Sequence, residues 1–104
     1  MNAAERLWSA LAAQDWAVAR SQFRAQAVVE WPHAGRRMTR DEYIAAQRAQ
    51  LSSGRVEVIR TAGEGRIFAV EASIGTRRCA GFYDLHDGLI HAASEYWVGG
   101  AGPG

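Results

Sequence analysis

Three side chains in the sequence have the chemistry needed for proton transfer: His33, Tyr83 and Glu95. A neutral imidazole can abstract or relay a proton near neutral pH. A carboxylate removed from water acquires a raised pKa, which suits it to general acid or base catalysis. A tyrosine hydroxyl can donate a hydrogen bond to a substrate carbonyl. Each has a non-catalytic alternative: an exposed loop histidine, a core tyrosine, and a glutamate at the surface or in a dimer interface.

Other reactive groups give weaker signals. The single Cys79 excludes an intramolecular disulfide and a zinc cluster built on paired cysteines, and we expect it to be a small buried apolar residue. His86 and His91 flank a turn near Asp84 and raise the question of a metal. They match no established ligand spacing, so a solvated hairpin end is the favoured interpretation. The sequence therefore predicts no metal site.

Length and charge bound the class of protein. With 104 residues, 48% of them hydrophobic, the chain has room for one globular domain. The net charge of +1 is spread along the chain and gives no electrostatic signature of nucleic-acid binding. No signal peptide and no membrane-spanning run is evident, so a cytoplasmic location is expected. All 12 basic residues are arginine, which is typical of a GC-rich bacterial genome.

The N-terminal part of the chain predicts two helices. Asn2 and Glu5 form a capping pair that opens the first helix. An apolar stripe at helical spacing follows, at Leu7, Trp8, Leu11 and Ala12. Asp15 can cap a second, shorter helix, in which Trp16, Ala19 and Phe23 share a face.

A strand, a turn and a third helix are expected next. Residues 27–31 are a β-type run that Pro32 ends, Gly35 marks a turn, and residues 36–38 suit a short strand. Thr39 and Glu42 then form a capping box. The helix that it opens has Tyr43, Ile44, Gln47 and Leu51 on one stripe, and residues 52–54 end it.

From Arg55 the apolar period changes from 3.6 to 2, which predicts four strands at 55–62, 66–75, 77–86 and 89–98. Short glycine-containing turns separate them. Residues 99–104 are too rich in glycine to hold an element and predict a flexible tail. Helices followed by hairpin-connected strands predict an α+β domain over residues 1–98, with helices on one face of an antiparallel sheet.

This order of elements resembles the nuclear transport factor 2-like superfamily, in particular its SnoaL-like polyketide cyclase branch. The resemblance covers residues 4–98 and rests on the order and spacing of residues 13–16, 28–32, Gly35, 87–90 and 95–97. It implies a cone-shaped fold, with three N-terminal helices packed on a curved antiparallel or mixed sheet that encloses a pocket. The fold does not by itself imply an activity.

One activity of the superfamily is testable residue by residue. By resemblance, the three functional positions of ketosteroid isomerase fall at Leu7, Trp31 and near Gly81, none of which keeps the isomerase residue. That isomerase reaction is therefore excluded. The acidic pair and arginine of limonene-type epoxide hydrolases are not evident either, and His33 is the nearest candidate for scytalone-type dehydration.

Strand alternation predicts which residues face the interior. Phe68, Val70, Ala72 and Ile74 form the better inner face of their strand, and Cys79, Gly81, Tyr83 and Leu85 that of the next. In the last strand apolar content favours the face of Ile90. The resemblance instead favours the other face, with Leu89, His91, Ala93, Glu95 and Trp97, and we adopt it.

The predicted pocket is aromatic with few polar groups, which suits a small apolar, cyclic molecule. Its expected ligand-binding residues are Trp8, Trp16, Trp31, Tyr43 and Trp97. The resemblance implies a cofactor-independent isomerase, dehydratase or cyclase in which His33 and Glu95 carry the proton and Tyr83 orients a carbonyl. A non-catalytic carrier or sensor, and a dimerisation or interaction module, remain alternatives. Because the core is thin, a homodimer through the outer sheet face is expected.

Overall fold

The computed structural model describes residues 1–51 and 54–99. Three helices are α1 (Ala3–Ala12), α2 (Trp16–Ser21) and α3 (Arg40–Gln50), and a 3₁₀ turn spans Pro32–Ala34. Six strands are β1 (Phe23–Trp31), β2 (Arg36–Thr39), β3 (Val56–Glu64), β4 (Ile67–Ile74), β5 (Arg77–His86) and β6 (Leu89–Gly99). The number and order of these elements agree with the sequence prediction.

The six strands form one mixed sheet in the order β2-β1-β6-β5-β4-β3. Four neighbouring pairs are antiparallel, and β1 and β6 run parallel. The helices pack on one face of the sheet, where the buried side chains form the core. The predicted α+β class is therefore confirmed.

The helices begin where the capping residues predict. The side chain of Asn2 accepts from the Glu5 backbone N–H at 3.0 Å, and the Glu5 carboxylate accepts from the Asn2 N–H at 3.0 Å. Thr39 and Glu42 make the same reciprocal pair at the start of α3. Each box satisfies backbone donors that have no partner within the helix. The start of α3 is thereby fixed, and with it the direction in which its later residues face.

Some strand limits differ from the predicted ones. β1 begins at Phe23 instead of residue 27, because it continues beside β6. β3 runs through Gly63, which the sequence placed in a turn, since Gly63 pairs with Phe68. The tight turn is therefore confined to Gly65 and Arg66. Part of the predicted end of the third helix, at residues 52 and 53, lies outside the described residues.

The inward faces of β4 and β5 are as predicted, with Phe68 and Leu85 only half-buried. In β6, Ala93, Glu95 and Trp97 are buried, as the resemblance implied. The prediction is wrong for Leu89 and His91, because Ile90 is the buried residue at that end. A register shift between Asp84 and Leu85 pairs Ala92 and Ile90 with successive residues of β5. His91 is the extra residue of this bulge, and an extra residue reverses the alternation.

None of the helices in residues 1–51 and 54–99 combines the length and hydropathy that crossing a membrane requires. Of the predicted tail, Gly99 is the last residue of β6, and residues 100–104 lie outside the described part of the chain. The single domain over residues 1–98 stays a prediction.

Candidate functional site

Glu95 lies on the inner face of β6 and has no exposed surface. Its Oε2 atom accepts hydrogen bonds from the hydroxyls of Tyr83 at 2.5 Å and Tyr43 at 2.8 Å. Its Oε1 atom accepts from the indole nitrogen of Trp31 at 3.0 Å and from the Gln47 amide at 3.4 Å. Four neutral donors therefore converge on one buried carboxylate.

Four elements bring these donors together. Trp31 ends β1, the strand that runs parallel to β6. Tyr43 and Gln47 are four residues apart on α3, so they share the helix face that packs over the sheet. Tyr83 comes from β5 on the other side of β6, where Gly81 is the residue opposite Glu95. A Cβ atom on Gly81 would overlap the Tyr83 hydroxyl, so the ring of Tyr83 needs a glycine at that position.

The burial of Glu95 raises its pKa above the ordinary value, because the charged carboxylate loses its water. The hydrogen bonds from Tyr83, Tyr43 and Trp31 oppose this rise, since they stabilise the charged form. Burial, and then the nearby carboxylate, raise the pKa of both tyrosines well above the ordinary value. Both hydroxyls therefore keep their protons and remain donors.

Within residues 1–51 and 54–99, no ion pair includes Glu95. Each tyrosine hydroxyl also accepts a hydrogen bond from a group other than Glu95, and this bond fixes its orientation. Tyr83 accepts from the indole nitrogen of Trp8 at 2.7 Å, and Tyr43 accepts from the Gln47 amide at 2.8 Å. Each hydroxyl that accepts on one side can donate on the other, so both protons point to Glu95.

An aromatic shell encloses this polar centre. The ring centroid of Trp97 lies 6.2 Å from that of Trp8 and 6.1 Å from that of Trp31. Tyr43 lies 6.3 Å from Trp31 and 5.3 Å from Phe23. At these separations the rings pack edge to face or tilted, as aromatic side chains prefer. The shell keeps water from the carboxylate and so accounts for the desolvation that raises its pKa.

The structure brings Tyr83 and Glu95 together, as two of the three predicted proton-transfer residues. His33 is exposed on the 3₁₀ turn, and among the described residues no hydrogen bond joins it to Glu95. Its ring centroid lies 6.2 Å from that of Trp31. Of the five predicted ligand-binding residues, four are buried around Glu95 and Trp16 is half-buried against the core.

Sequence reasoning missed the role of Gln47, although it placed this residue on the apolar stripe of α3. Gln47 has no exposed surface and donates to both Tyr43 and Glu95. A polar side chain on an apolar helix face must find hydrogen-bond partners when buried. That rule was the available signal for a polar centre beneath α3.

A groove of about 300 Å³ lies between α1 and the strands β3 and β4. We call it the α1 groove; its lining residues are Met1, Glu5, Trp8, Ser9, Ala12, Val58, Thr61 and Val70. Trp8 is the member that leads inward, because its indole nitrogen donates to Tyr83. The α1 groove is thus separated from the Glu95 carboxylate by one indole and one phenol.

The other reactive groups have structural surroundings. The ring centroids of His86 and His91 are 5.4 Å apart, and the neighbouring Asp84 accepts two hydrogen bonds from Arg66, which hold its pKa below the ordinary value. The described residues contain no group of three or more His, Cys, Asp or Glu arranged to hold a metal ion. Burial raises the pKa of the Cys79 thiol far above the ordinary value, which keeps it protonated and unreactive.

Many solved structures are similar to this chain in fold, and three of them serve as examples. An NTF-2-like protein of unknown function from Burkholderia xenovorans has a TM-score of 0.83 at 22% identity, over 98% of this chain and 84% of that one. A candidate ketosteroid isomerase from Kribbella flavida has a TM-score of 0.79 at 21% identity, over 98% and 79%. Wild-type IdmH from Streptomyces antibioticus, a candidate polyketide cyclase, has 0.80 at 15% identity, over 91% and 88%.

No protein-family model matches the sequence, and no curated protein matches it. At these identities the structural matches establish the fold and leave the chemistry open. The matches extend over nearly the whole described chain and include a candidate polyketide cyclase, the class that the SnoaL-like resemblance named. The chain therefore has the fold of nuclear transport factor 2-like proteins, which its SnoaL-like sequence features predicted.

Proposed function

We propose that the protein binds a small apolar, cyclic molecule in the α1 groove and uses Tyr83 and Glu95 for proton transfer on it. The observation that carries this proposal is the hydrogen-bonded series from Trp8 to Tyr83 to Glu95. It begins at the wall of the groove and ends at the only described glutamate that is fully buried. The volume of about 300 Å³ is at the lower end of the range usual for ligand sites.

The proposed chemistry follows from the protonation of Glu95. A protonated Glu95 donates to the Tyr83 oxygen, which frees the Tyr83 proton for a ligand carbonyl. The ligand oxygen then replaces the Trp8 indole as the outer partner of Tyr83, so binding breaks the hydrogen bond between Trp8 and Tyr83. The raised pKa of Glu95 favours its neutral form. A proton donor positioned in this way can act as a general acid in isomerisation, dehydration or cyclisation.

His33 is the weaker member of the predicted set. Its support is indirect, through the ring of Trp31, which donates to Glu95. The proposed ligand-binding residues differ in how close they lie to the α1 groove. Trp8 borders the α1 groove, whereas Trp31, Tyr43 and Trp97 lie around the carboxylate and Trp16 lies at the edge of the core. In this proposal the cone of the resemblance opens at the α1 groove.

A carrier or sensor that binds without turnover is the second candidate. The observation in its favour is that both Tyr83 and Glu95 have no exposed surface. In a carrier the polar centre would hold the shell of aromatic residues in place, and the ligand would remain in the groove above Trp8.

Titration with cyclic enones and their hydrocarbon analogues, followed by NMR, tests the binding proposal. The Trp8 indole N–H resonance, assigned by its loss in Trp8→Phe, should shift on binding. Thr61→Trp should abolish the shift, because Thr61 lines the groove. Thr76→Trp, which adds the same ring at the exposed β4–β5 turn, is the control. Binding that persists in Thr61→Trp would place the ligand elsewhere.

Turnover separates the two candidates. Once a bound compound is converted, Tyr83→Phe and Glu95→Gln should each lower kcat by at least about a hundredfold, the usual size of a general acid-base contribution. His33→Ala tests the indirect member of the set. Binding without conversion, unchanged by Tyr83→Phe, would favour the carrier.

A second copy of the chain is the proposed partner for the outer sheet face. Phe82 and Tyr96 stand there with their ring centroids 6.2 Å apart, and each ring is nearly half exposed. Grooves of about 160 and 210 Å³ lie on either side of Phe82. A projecting ring beside grooves suits a two-fold contact, in which each copy presents the same ring to the same hollow of the other.

A further inference from the structure

A line of side-chain hydrogen bonds joins the arginine at the start of β5 to the buried carboxylate. Arg77 Nη1 donates to Gln50 Oε1 at 2.7 Å, and Gln50 Nε2 donates to Gln47 Oε1 at 2.5 Å. Gln47 Nε2 then donates to Tyr43 Oη at 2.8 Å and to Glu95 Oε1 at 3.4 Å. We call Arg77, Gln50 and Gln47 the glutamine relay.

The relay has one direction only. A guanidinium can only donate, so the Gln50 oxygen must face Arg77 and its NH₂ must face Gln47. Gln47 must then turn its oxygen to Gln50 and its NH₂ to Tyr43 and Glu95. The opposite orientation of either amide would place two acceptors or two donors together. Through the two amides, the arginine therefore ensures that Gln47 turns its NH₂ group, and not its oxygen, to the Glu95 carboxylate.

None of the described groups in contact with Glu95 carries a positive charge that could stabilise its carboxylate. The ionisable side chains packed against it are Tyr43 from α3 and Tyr83 and Cys79 from β5. Trp31 of β1 and Trp97 of β6 add only aromatic rings and indole nitrogens. Tyrosine and cysteine side chains are neutral or negative at every pH, so none of the three supplies positive charge. Arg77 is half-buried, and its Cζ lies 5.2 Å from the centre of the Trp97 ring.

We propose that Arg77 is a positioning residue for Glu95: by fixing the orientation of Gln50 and Gln47 it stabilises the charged form of the carboxylate, in opposition to burial. The arginine does not touch the carboxylate and acts through the polarised amides. Hydrogen bonds in such a series strengthen one another where the surroundings exclude water. The proposal requires no ligand, so it stands or fails independently of binding in the α1 groove.

The test is the titration of the Glu95 carboxyl carbon by NMR, assigned by its loss in Glu95→Gln. Arg77→Met keeps the stacking on Trp97 and removes both charge and donor. It should move the Glu95 midpoint to higher pH, with about a tenfold change in the protonation equilibrium, the size expected for one charge-assisted donor. Arg77→Lys keeps a charged donor and should restore most of the difference.

Gln50→Leu separates the relay from direct charge attraction, because it breaks the line and leaves Arg77 in place. Gln50 is the last residue of α3 and only half-buried, so this variant is expected to fold even if Arg77→Met does not. It should shift the midpoint as far as Arg77→Met does. The double variant should shift it no further than either single change, since both interrupt one line.

Arg78→Met is the matched control. Arg78 is the next residue of β5, but it lies on the outer face, where it donates to Glu71. Arg78→Met removes one positive charge from β5, as Arg77→Met does, and should leave the midpoint of the Glu95 titration unchanged. An unchanged midpoint in Gln50→Leu, or an equal shift in Arg78→Met, overturns the proposal.

Discussion

The described groups that donate hydrogen bonds directly to Glu95 are all neutral. Removing two charges from water for a buried ion pair often costs more than their attraction returns. Here one carboxylate is fully buried among the described residues, and tyrosine hydroxyls and an indole donate to it. The stability that such a carboxylate contributes therefore changes with pH in the direction opposite to that of surface carboxylates paired with arginine.

Glu95 should make the folded state less stable as pH rises. Its folded pKa is raised above the ordinary 4.5, so the folded chain holds the proton where the unfolded chain has lost it. The stability contributed by this group is therefore present below pH 4.5 and lost as pH rises through the folded pKa. The difference in unfolding free energy between the wild-type protein and Glu95→Gln should fall across that window, as urea titrations at several pH values will measure.

Glu71→Gln supplies a control of opposite sign. Hydrogen bonds from Arg60 and Arg78 hold the pKa of Glu71 below the ordinary value. The stability that Glu71 contributes is therefore present above its ordinary pKa and lost as pH falls, and added salt should weaken it because the pair is at the surface. If both variants gave slopes of the same sign, burial would not be what sets the Glu95 pKa.

At the scale of elements, β5 and α3 hold the donors against β6 from opposite sides. α3 contributes residues one turn apart, which its capped start keeps in phase. β5 contributes Tyr83, whose ring occupies the space above Gly81. The strand therefore needs a residue without a side chain directly opposite Glu95.

Gly81→Ala should destabilise the protein by about 1–3 kcal/mol, the usual cost of overpacking a core. The added methyl group displaces the Tyr83 ring, so the hydrogen bond from Trp8 should be lost too. Urea unfolding measures the first effect and the Trp8 indole N–H shift the second. Ala80→Ser is the control: it adds one atom at the residue that precedes Gly81, on the outer face, and should change neither the stability nor the indole shift. A stable Gly81→Ala with an unchanged indole resonance contradicts the packing described here.

The sequence predicted these elements well, because helix caps and strand alternation are local. The capping pairs at Asn2 and Thr39 and the inner faces of β4 and β5 are examples. The bulge at His91 was out of reach, since it arises from pairing with β5; apolar content favoured the face of Ile90 but did not indicate a change of face within the strand. Tyr83 was found from strand parity and Glu95 from the family resemblance, whereas the glutamine relay depends on the end of α3 meeting the start of β5.

At the scale of the whole molecule, one sheet face is covered by helices and the other carries exposed apolar side chains. Phe82, Tyr96, Ile67 and Val98 are each more than two-fifths exposed on that face. Ion pairs of Arg60 and Arg78 with Glu71, and of Arg66 with Asp84, lie among them. An apolar centre with charged neighbours is typical of a protein interface.

Phe82→Lys should convert the proposed dimer to monomer, because it places a charge at the centre of the contact. Sedimentation velocity over a range of concentrations measures the change. Val18→Lys, which charges an equally exposed apolar residue on α2, is the control and should leave the dimer intact. A wild-type protein that sediments only as a monomer would remove the second copy from the proposal.

The position of β6 has a consequence for how the molecule is assembled. It follows every other described element in the chain, yet it is third of six in the sheet, between β1 and β5. During synthesis, α1 to α3 and the first two strands are therefore made before β6, and their aromatic side chains stay uncovered until β6 pairs with β1. Contacts between distant parts of a chain slow folding and leave apolar surface open to aggregation. The carboxylate that organises the interior thus arrives with the strand that closes it, and we expect nascent chains lacking β6 to need chaperones.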